Sequence, residues 1–167
     1  MDGVTSASHL AGITPLQYPS EIRKLLLEAE NRTISDGSAN TSQLVPISEK
    51  GVTGYEIPWS DLKTIVIEEF MKWLKDKTAW QDKVHWLTKE VVLEPSLLSL
   101  PSGTTCVIIP RPFPDECVVS FRFEGQKPVC PKWNLPVAYL LEPGTKIAVR
   151  EGKARFYVIT FDTPSRP

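Results

Sequence analysis

The chain has 167 residues, of which 41 % are hydrophobic and 23 % are charged, and its formal net charge is −1. These values are ordinary for a globular protein, and they exclude a largely disordered or a strongly basic polypeptide. No apolar run approaches the roughly 18 residues that a membrane-spanning helix needs, and the first residues lack the pattern of a signal peptide. We therefore expect one compact intracellular protein of eukaryotic type, cytoplasmic or nuclear, with no membrane partner.

The N-terminal third contains one helical pattern between two polar segments. Residues 1–17 are small, polar and aperiodic, which predicts a mobile tail. Within residues 18–54, apolar side chains at helical spacing predict a helix over 21–31, with Leu25 and Leu26 on its apolar face. A segment rich in Ser, Thr, Asn and Gly follows this helix. We therefore interpret this region as a docking helix and a flexible linker.

Residues 55–163 are predicted to form a single compact domain whose first part, 57–93, is helical. Ser60 is a good N-cap, and the apolar spacing after it predicts an amphipathic helix over 60–75. A second pattern over 79–91 fits a helical face and also fits the alternation of a strand. The sequence leaves that choice open.

The second part of this domain, residues 101–163, is predicted to be β-structure. Eight prolines fall between Pro101 and Pro143, which exclude long helices there. Five segments rich in Val, Ile, Phe and Tyr are predicted as strands: 104–109, 117–123, 137–141, 145–150 and 154–161. The predicted fold class is α+β, with two or three helices packed on a five-stranded, mostly antiparallel C-terminal sheet or small barrel.

Reactive groups form no recognisable catalytic pattern. The three cysteines show no zinc-ligand spacing, and no phosphate-binding glycine loop is present. Of the two histidines, His9 lies in the predicted tail, which leaves His85 as the single candidate for proton transfer. We expect no catalytic residue, no cofactor, no metal and no small-molecule substrate.

One enzyme interpretation rests on a short resemblance. Pro114-Asp115 followed by Glu151-x-Lys153 resembles the motif of a large family of metal-dependent nucleases, in which two carboxylates hold Mg²⁺ and the lysine orients water. The resemblance implies a magnesium-dependent nuclease. The second half of the motif is predicted at a hairpin tip, whereas the nuclease family has it along a strand.

A second alternative is a small β-barrel that binds single-stranded nucleic acid or assists RNA processing. Basic residues are interleaved with aromatic residues in the proline-rich half, as in proteins that stack bases on aromatic rings. The candidate nucleic-acid contacts are Lys127, Lys132, Lys146, Arg150, Lys153 and Arg155.

The favoured interpretation is a non-catalytic adaptor or scaffolding subunit that binds another protein subunit in a hetero-complex. Trp59 and Trp133 both stand beside prolines in segments predicted to lie at the surface, and exposed tryptophans are frequent interface residues. The candidate partner-binding residues are Trp59, Trp133, Phe113, Arg111, Leu25 and Leu26.

Overall fold

A computed structural model describes residues 13–35, 45–47, 51–77, 85–100, 103–111, 116–123, 125–131, 133 and 136–162. The described residues form ten strands and two helices. These elements make three layers, in which a pair of helices covers one face of a seven-stranded sheet and a three-stranded sheet covers the other face.

The helices are α1 (Ser20–Ser35) and α2 (Asp61–Lys77). The strands are β1 (Ile13–Gln17), β2 (Val45–Pro46), β3 (Gly54–Ile57), β4 (His85–Leu93), β5 (Ser96–Ser99), β6 (Thr104–Arg111), β7 (Val118–Arg122), β8 (Val137–Leu141), β9 (Lys146–Glu151) and β10 (Ala154–Asp162).

The larger sheet has the strand order β1-β8-β6-β10-β4-β3-β2, and the smaller sheet has the order β5-β9-β7. Every described pairing is antiparallel. Consecutive strands alternate between the sheets from β4 onwards, so that β4, β6, β8 and β10 lie in the larger sheet. Two facing antiparallel sheets connected in this way make a jelly-roll-like fold.

The space between the two sheets is filled by apolar side chains. Trp133, Phe121 and Phe156 pack together there, with the rings of Trp133 and Phe156 edge to face at 5.6 Å between centroids. The indole Nε1 of Trp133 donates a hydrogen bond to the backbone oxygen of Arg155 at 3.2 Å. Since aromatic side chains bury large apolar areas, this cluster is a principal source of stability for the sandwich.

Helices α1 and α2 pack on the outer face of the larger sheet. The buried Phe70 and Leu74 of α2 contact the same core as Ile109, Tyr157 and Ile159 of the sheet. At the start of α2, the backbone N–H of Lys63 donates to the Ser60 hydroxyl at 3.4 Å, which agrees with the predicted N-cap. No helix in the described ranges is long and apolar enough to cross a bilayer.

The predicted fold class is wrong, because the protein is mainly β and its larger sheet has seven strands rather than five. Residues 13–17, expected in a mobile tail, form β1 and pair with β8. The ambiguous segment 79–91 overlaps β4, which begins at His85, so its described part is a strand and not a helix. Val91 and Val92 are both buried although neighbouring strand residues point to opposite faces, so the strand lacks the alternation that would have distinguished it from a helix. Residues 78–84 lie outside the described part of the chain.

Strands β2, β3 and β5 have no counterpart among the predicted elements, and β2 lies in the segment interpreted as a flexible linker. The other elements lie close to their predicted positions. The helices predicted over 21–31 and 60–75 correspond to Ser20–Ser35 and Asp61–Lys77. The five predicted strands correspond to β6, β7, β8, β9 and β10, each within two residues at either end. These segments combine a strong periodic pattern with prolines or glycines at their ends, which is the condition under which local sequence specifies an element.

The three cysteines differ in burial, and this predicts a definite order of reaction with iodoacetamide. Cys130 is exposed, whereas Cys106 is buried, and burial raises the pKa of the Cys106 thiol to about 12. Because the thiolate is the nucleophile, we expect labelling of Cys130 first, of the half-buried Cys117 more slowly, and of Cys106 after unfolding. Peptide mass spectrometry at successive times measures this order, and native labelling of Cys106 at the rate of Cys130 would contradict the structure.

Candidate functional site

A buried ionic cluster lies between α2 and the larger sheet. The carboxylate of Glu90 on β4 is fully buried. It accepts a hydrogen bond from Arg155 Nε at 2.7 Å and forms an ion pair with Lys63 Nζ. Lys63 Nζ also donates to the backbone oxygen of Pro58 at 2.9 Å. The cluster therefore joins the start of α2 to strands β4 and β10.

A second buried guanidinium lies beside this cluster. Arg111 on β6 is directly opposite Arg155 on β10 in the register. Its Nη2 atom donates to the backbone oxygen of Leu26 in α1 at 2.9 Å, and its guanidinium carbon lies 5.4 Å from the centre of the Tyr157 ring. Arg111 therefore connects α1 to the sheet, as Lys63 connects α2.

The geometry of these buried charges is that of a structural network. Glu90 forms ion pairs with Lys63 of α2 and Arg155 of β10, so its negative charge is compensated within the fold. Buried charges that are paired in this way hold elements in a fixed arrangement. The cluster therefore positions the helices rather than presenting a reactive group to solvent.

An apolar groove of about 410 Å³ runs along α2 on the surface. Its apolar wall contains the indole of Trp59 and the side chains of Ile67 and Met71. Thr88 of β4 closes the opposite side. Trp59 is 38 % exposed, so its ring contributes to the core and to the groove at the same time.

The Trp59 ring is held in one orientation by three neighbours. Its Nε1 donates to the Thr64 hydroxyl at 2.8 Å, and its ring packs edge to face on Tyr157 at 5.8 Å between centroids. The ammonium of Lys63 lies 5.9 Å from the ring centre. A ring that is already immobilised loses little conformational entropy when it contacts a ligand.

Charged side chains of α2 line the groove towards its C-terminal end. Lys72 is paired with Glu69 at 3.0 Å, and this hydrogen bond raises the pKa of the Lys72 ammonium. Lys75 also lines the groove and has no ion pair with another described residue. The groove therefore offers an apolar surface that ends beside an available positive charge.

The predicted partner-binding residues are not brought together on one surface. Trp59 lies in the groove, whereas Trp133, expected at the surface, is 7 % exposed and packs between the sheets. Prolines near Trp133 in the sequence do not reveal that its indole is buried. Arg111 and Leu26 are also buried, Leu25 is half-buried, and Phe113 lies outside the described residues.

The predicted nucleic-acid residues are similarly scattered. Lys127, Lys146 and Arg150 are exposed, and Lys153 is half-buried with its ammonium 3.7 Å from Glu94 Oε1. Arg155 is buried against Glu90 and cannot meet a phosphate. Lys132 is not among the described residues.

The nuclease motif gains no support from the geometry. Glu151, Gly152 and Lys153 form the reversal between β9 and β10, as the sequence predicted for a hairpin tip. Asp115 lies outside the described residues. In the described part of the chain, no group of three or more His, Cys, Asp or Glu side chains could hold a metal ion.

Sequence reasoning missed the cluster and the groove, although signals for both are present. Lys63 precedes Val66 and Phe70 by three and seven residues, which places a charge on the apolar face of α2. Glu90 directly precedes an apolar strand end, which is an unusual place for a carboxylate. A charge on each of two buried faces is a signal for an internal ion pair.

No protein-family model matches the sequence, and a comparison with curated protein sequences finds no match. The fold is similar to that of a Pseudomonas putida prolyl-4-hydroxylase, with a TM-score of 0.59 and 7 % identity over 90 % of this chain and 92 % of that chain. It is also similar to a viral collagen prolyl hydroxylase from Paramecium Bursaria Chlorella virus-1, solved as a complex with 2OG. That similarity has a TM-score of 0.55 and 8 % identity over 93 % of this chain and 98 % of the viral chain.

These comparisons contradict the interpretation as a non-catalytic adaptor, and with it the small-barrel and nuclease alternatives. Both of these solved proteins are hydroxylases, and one of them was solved as a complex with 2OG. The expectation of no small-molecule substrate is contradicted by the same comparisons. At such low identity the similarity establishes the fold, and the activity has to be argued from the residues.

The described side chains include no histidine, so they do not by themselves supply a non-haem iron centre of two histidines and one carboxylate. The whole chain has two histidines: His9 is outside the described residues, and the side chain of His85 is not described. The space between the two sheets is lined by apolar side chains. The described side chains therefore support no iron-dependent step, and the similarity to the two hydroxylases is one of fold.

Proposed function

We propose that the protein binds a small aliphatic carboxylate in the groove along α2. The observation that carries this proposal is the combination of an apolar wall, formed by Trp59, Ile67 and Met71, with the ammonium of Lys75. A volume of about 410 Å³ lies within the usual range of small-molecule sites. A protein of similar fold was solved with a small carboxylate, 2OG, bound, which supports a ligand of this class.

The shape of the groove favours an elongated ligand. Its α2 residues run from Thr64 to Lys75, and eleven residues of helix extend about 16 Å. An aliphatic chain lying along this stripe would contact Ile67 and Met71. Each methylene group that leaves water contributes about 0.8 kcal/mol, so chain length should control affinity.

The charge of the groove favours an anionic end group. Its charged lining residues are Glu68, Lys72 and Lys75, and Lys75 lies about 10 Å along the helix from Glu68. Lys72 is already compensated by Glu69, so the carboxylate would pair with Lys75. A carboxylate at the surface end of the groove would keep part of its hydration, which limits the desolvation cost.

Titration of the protein with decanoate, decanol and decyltrimethylammonium below their micelle concentrations tests the proposal by calorimetry. We expect decanoate to bind most tightly and the cationic amphiphile most weakly. Substitution Trp59→Ala should weaken decanoate binding at least tenfold, because it removes the exposed ring from the apolar wall of the groove. Substitution Lys75→Glu should remove the preference for decanoate over decanol.

The control variant is Lys24→Glu, which makes the same charge change at an exposed position of α1 outside the groove. It should bind decanoate as the unmodified protein does. Equal affinity for all three amphiphiles would exclude Lys75 as the carboxylate partner. Unchanged decanoate binding by the Trp59→Ala protein would exclude the groove itself.

A further inference from the structure

The outer face of the three-stranded sheet carries two cations directly opposite each other. Arg122 of β7 is the register partner of Lys146 of β9, and both side chains are exposed. Like charges at directly opposed positions of an antiparallel pair are destabilising. Neither side chain has an ion pair with another residue in the described ranges. This arrangement is the reverse of what sheet stability alone would favour.

A pocket of about 460 Å³ lies over this pair of cations. Phe123 and Gln126 line one side, and Gln126 N donates a hydrogen bond to Phe123 O at 3.0 Å. The turn containing Gly144 forms another wall. Leu97 and Phe123 add apolar surface, and no acidic residue lines the pocket among the described residues.

We propose that this pocket binds a small organic phosphate, with its phosphate group between Arg122 and Lys146. The guanidinium of Arg122 can donate two parallel hydrogen bonds to phosphate oxygens, and the Lys146 ammonium supplies a point charge. A phosphate monoester carries close to two negative charges at neutral pH, which matches two cations. Its organic part would contact Phe123 and Leu97.

This site is independent of the groove proposed for carboxylates. The pocket lies on the three-stranded sheet, whereas α2 packs on the far face of the seven-stranded sheet. The phosphate site is argued from two cations that lie directly opposite each other on neighbouring strands, and the groove contains no such pair. Either proposal can therefore fail without affecting the other.

The proposal has a consequence for the ligand-free protein. If Arg122 and Lys146 repel each other until an anion lies between them, then Arg122→Gln should stabilise the free protein while it weakens phosphate binding. If Arg122 contributed only to the stability of the sheet, Arg122→Gln would instead lower the stability of the ligand-free protein. The two measurements together therefore distinguish a binding residue from a structural one.

The test measures the melting temperature and the dissociation constant of the unmodified protein with phenyl phosphate, inorganic phosphate and phenol at constant ionic strength. We expect phenyl phosphate to stabilise the protein most, inorganic phosphate less, and phenol not at all. Arg122→Gln and Lys146→Gln should each weaken phenyl phosphate binding at least tenfold.

The matched control is Arg150→Gln on the same face of β9. Arg150 is four residues from Lys146, about 13 Å along the strand, and does not line the pocket. It should bind phenyl phosphate as the unmodified protein does. If Arg150→Gln weakened phenyl phosphate binding as much as Arg122→Gln does, the affinity would depend on general surface charge, and the proposal would be overturned. Equal affinity for phenyl and inorganic phosphate would overturn the assignment of an organic ligand.

Discussion

Substitution Glu90→Gln should lower the free energy of unfolding by about 3–5 kcal/mol, because it leaves two buried cations without their common carboxylate. Glu90 is fully buried and contacts both Lys63 and Arg155. Glutamine keeps the size of the side chain and removes the charge, so a loss of packing cannot account for the result. Urea denaturation followed by circular dichroism measures the change.

The control for this experiment is Glu69→Gln, which breaks the exposed ion pair between α2 residues Glu69 and Lys72. The side chains of that pair are 45 % and 74 % exposed, and such pairs contribute about 0.5 kcal/mol or less. A difference of several kcal/mol between the two variants is therefore expected. Equal effects of Glu90→Gln and Glu69→Gln would show that the internal charges are not coupled as the structure indicates.

Substitution Gly152→Ala should destabilise the protein by about 2–5 kcal/mol for two separate reasons. Gly152 has a φ of 71°, a left-handed conformation that costs an alanine about 1–2 kcal/mol. A Cβ atom at this position would also lie 1.9 Å from the backbone oxygen of Glu116, so the chain before β7 would have to move. Thermal and urea unfolding both measure the loss.

Gly144 provides the matched control, because its φ is 89° and a Cβ there would meet no atom within 4 Å. Gly144→Ala should therefore incur the conformational cost alone. We expect Gly152→Ala to be the more destabilising variant by at least about 1 kcal/mol. If the two alanine variants were equally stable, the close approach of the β9–β10 reversal to Glu116 would be excluded.

The sequence predicted the elements whose pattern is local. The helix after Ser60 and the strands from Thr104 onwards have strong periodicity and clear breaks at prolines and glycines. Strands β1 and β5 could not be found in this way. They have five and four residues, and their positions depend on pairing with β8 and β9, which are distant in sequence. Pairing of this kind is tertiary information that a single sequence does not display.

The site was harder to predict than the fold because its residues had been assigned other roles. Ile67 and Met71 are buried beside Val66 and Phe70 on α2, so the spacing of apolar residues does not show that they also line a groove. Arg155 was expected to meet a phosphate, although it is neutralised inside the protein by Glu90. Whether such a residue is buried or exposed depends on how the layers of the fold assemble. The residue type alone does not show this.

The position of β10 determines when the protein can fold during its synthesis. This strand is the last one in the described chain, yet it lies at the centre of the larger sheet, between β6 and β4. Until residues 154–162 leave the ribosome, β6 and β4 have no shared neighbour and Glu90 has no Arg155. During translation the edges of β6 and β4 that later pair with β10 are therefore exposed to other chains. We expect chaperones to bind the nascent chain at that stage.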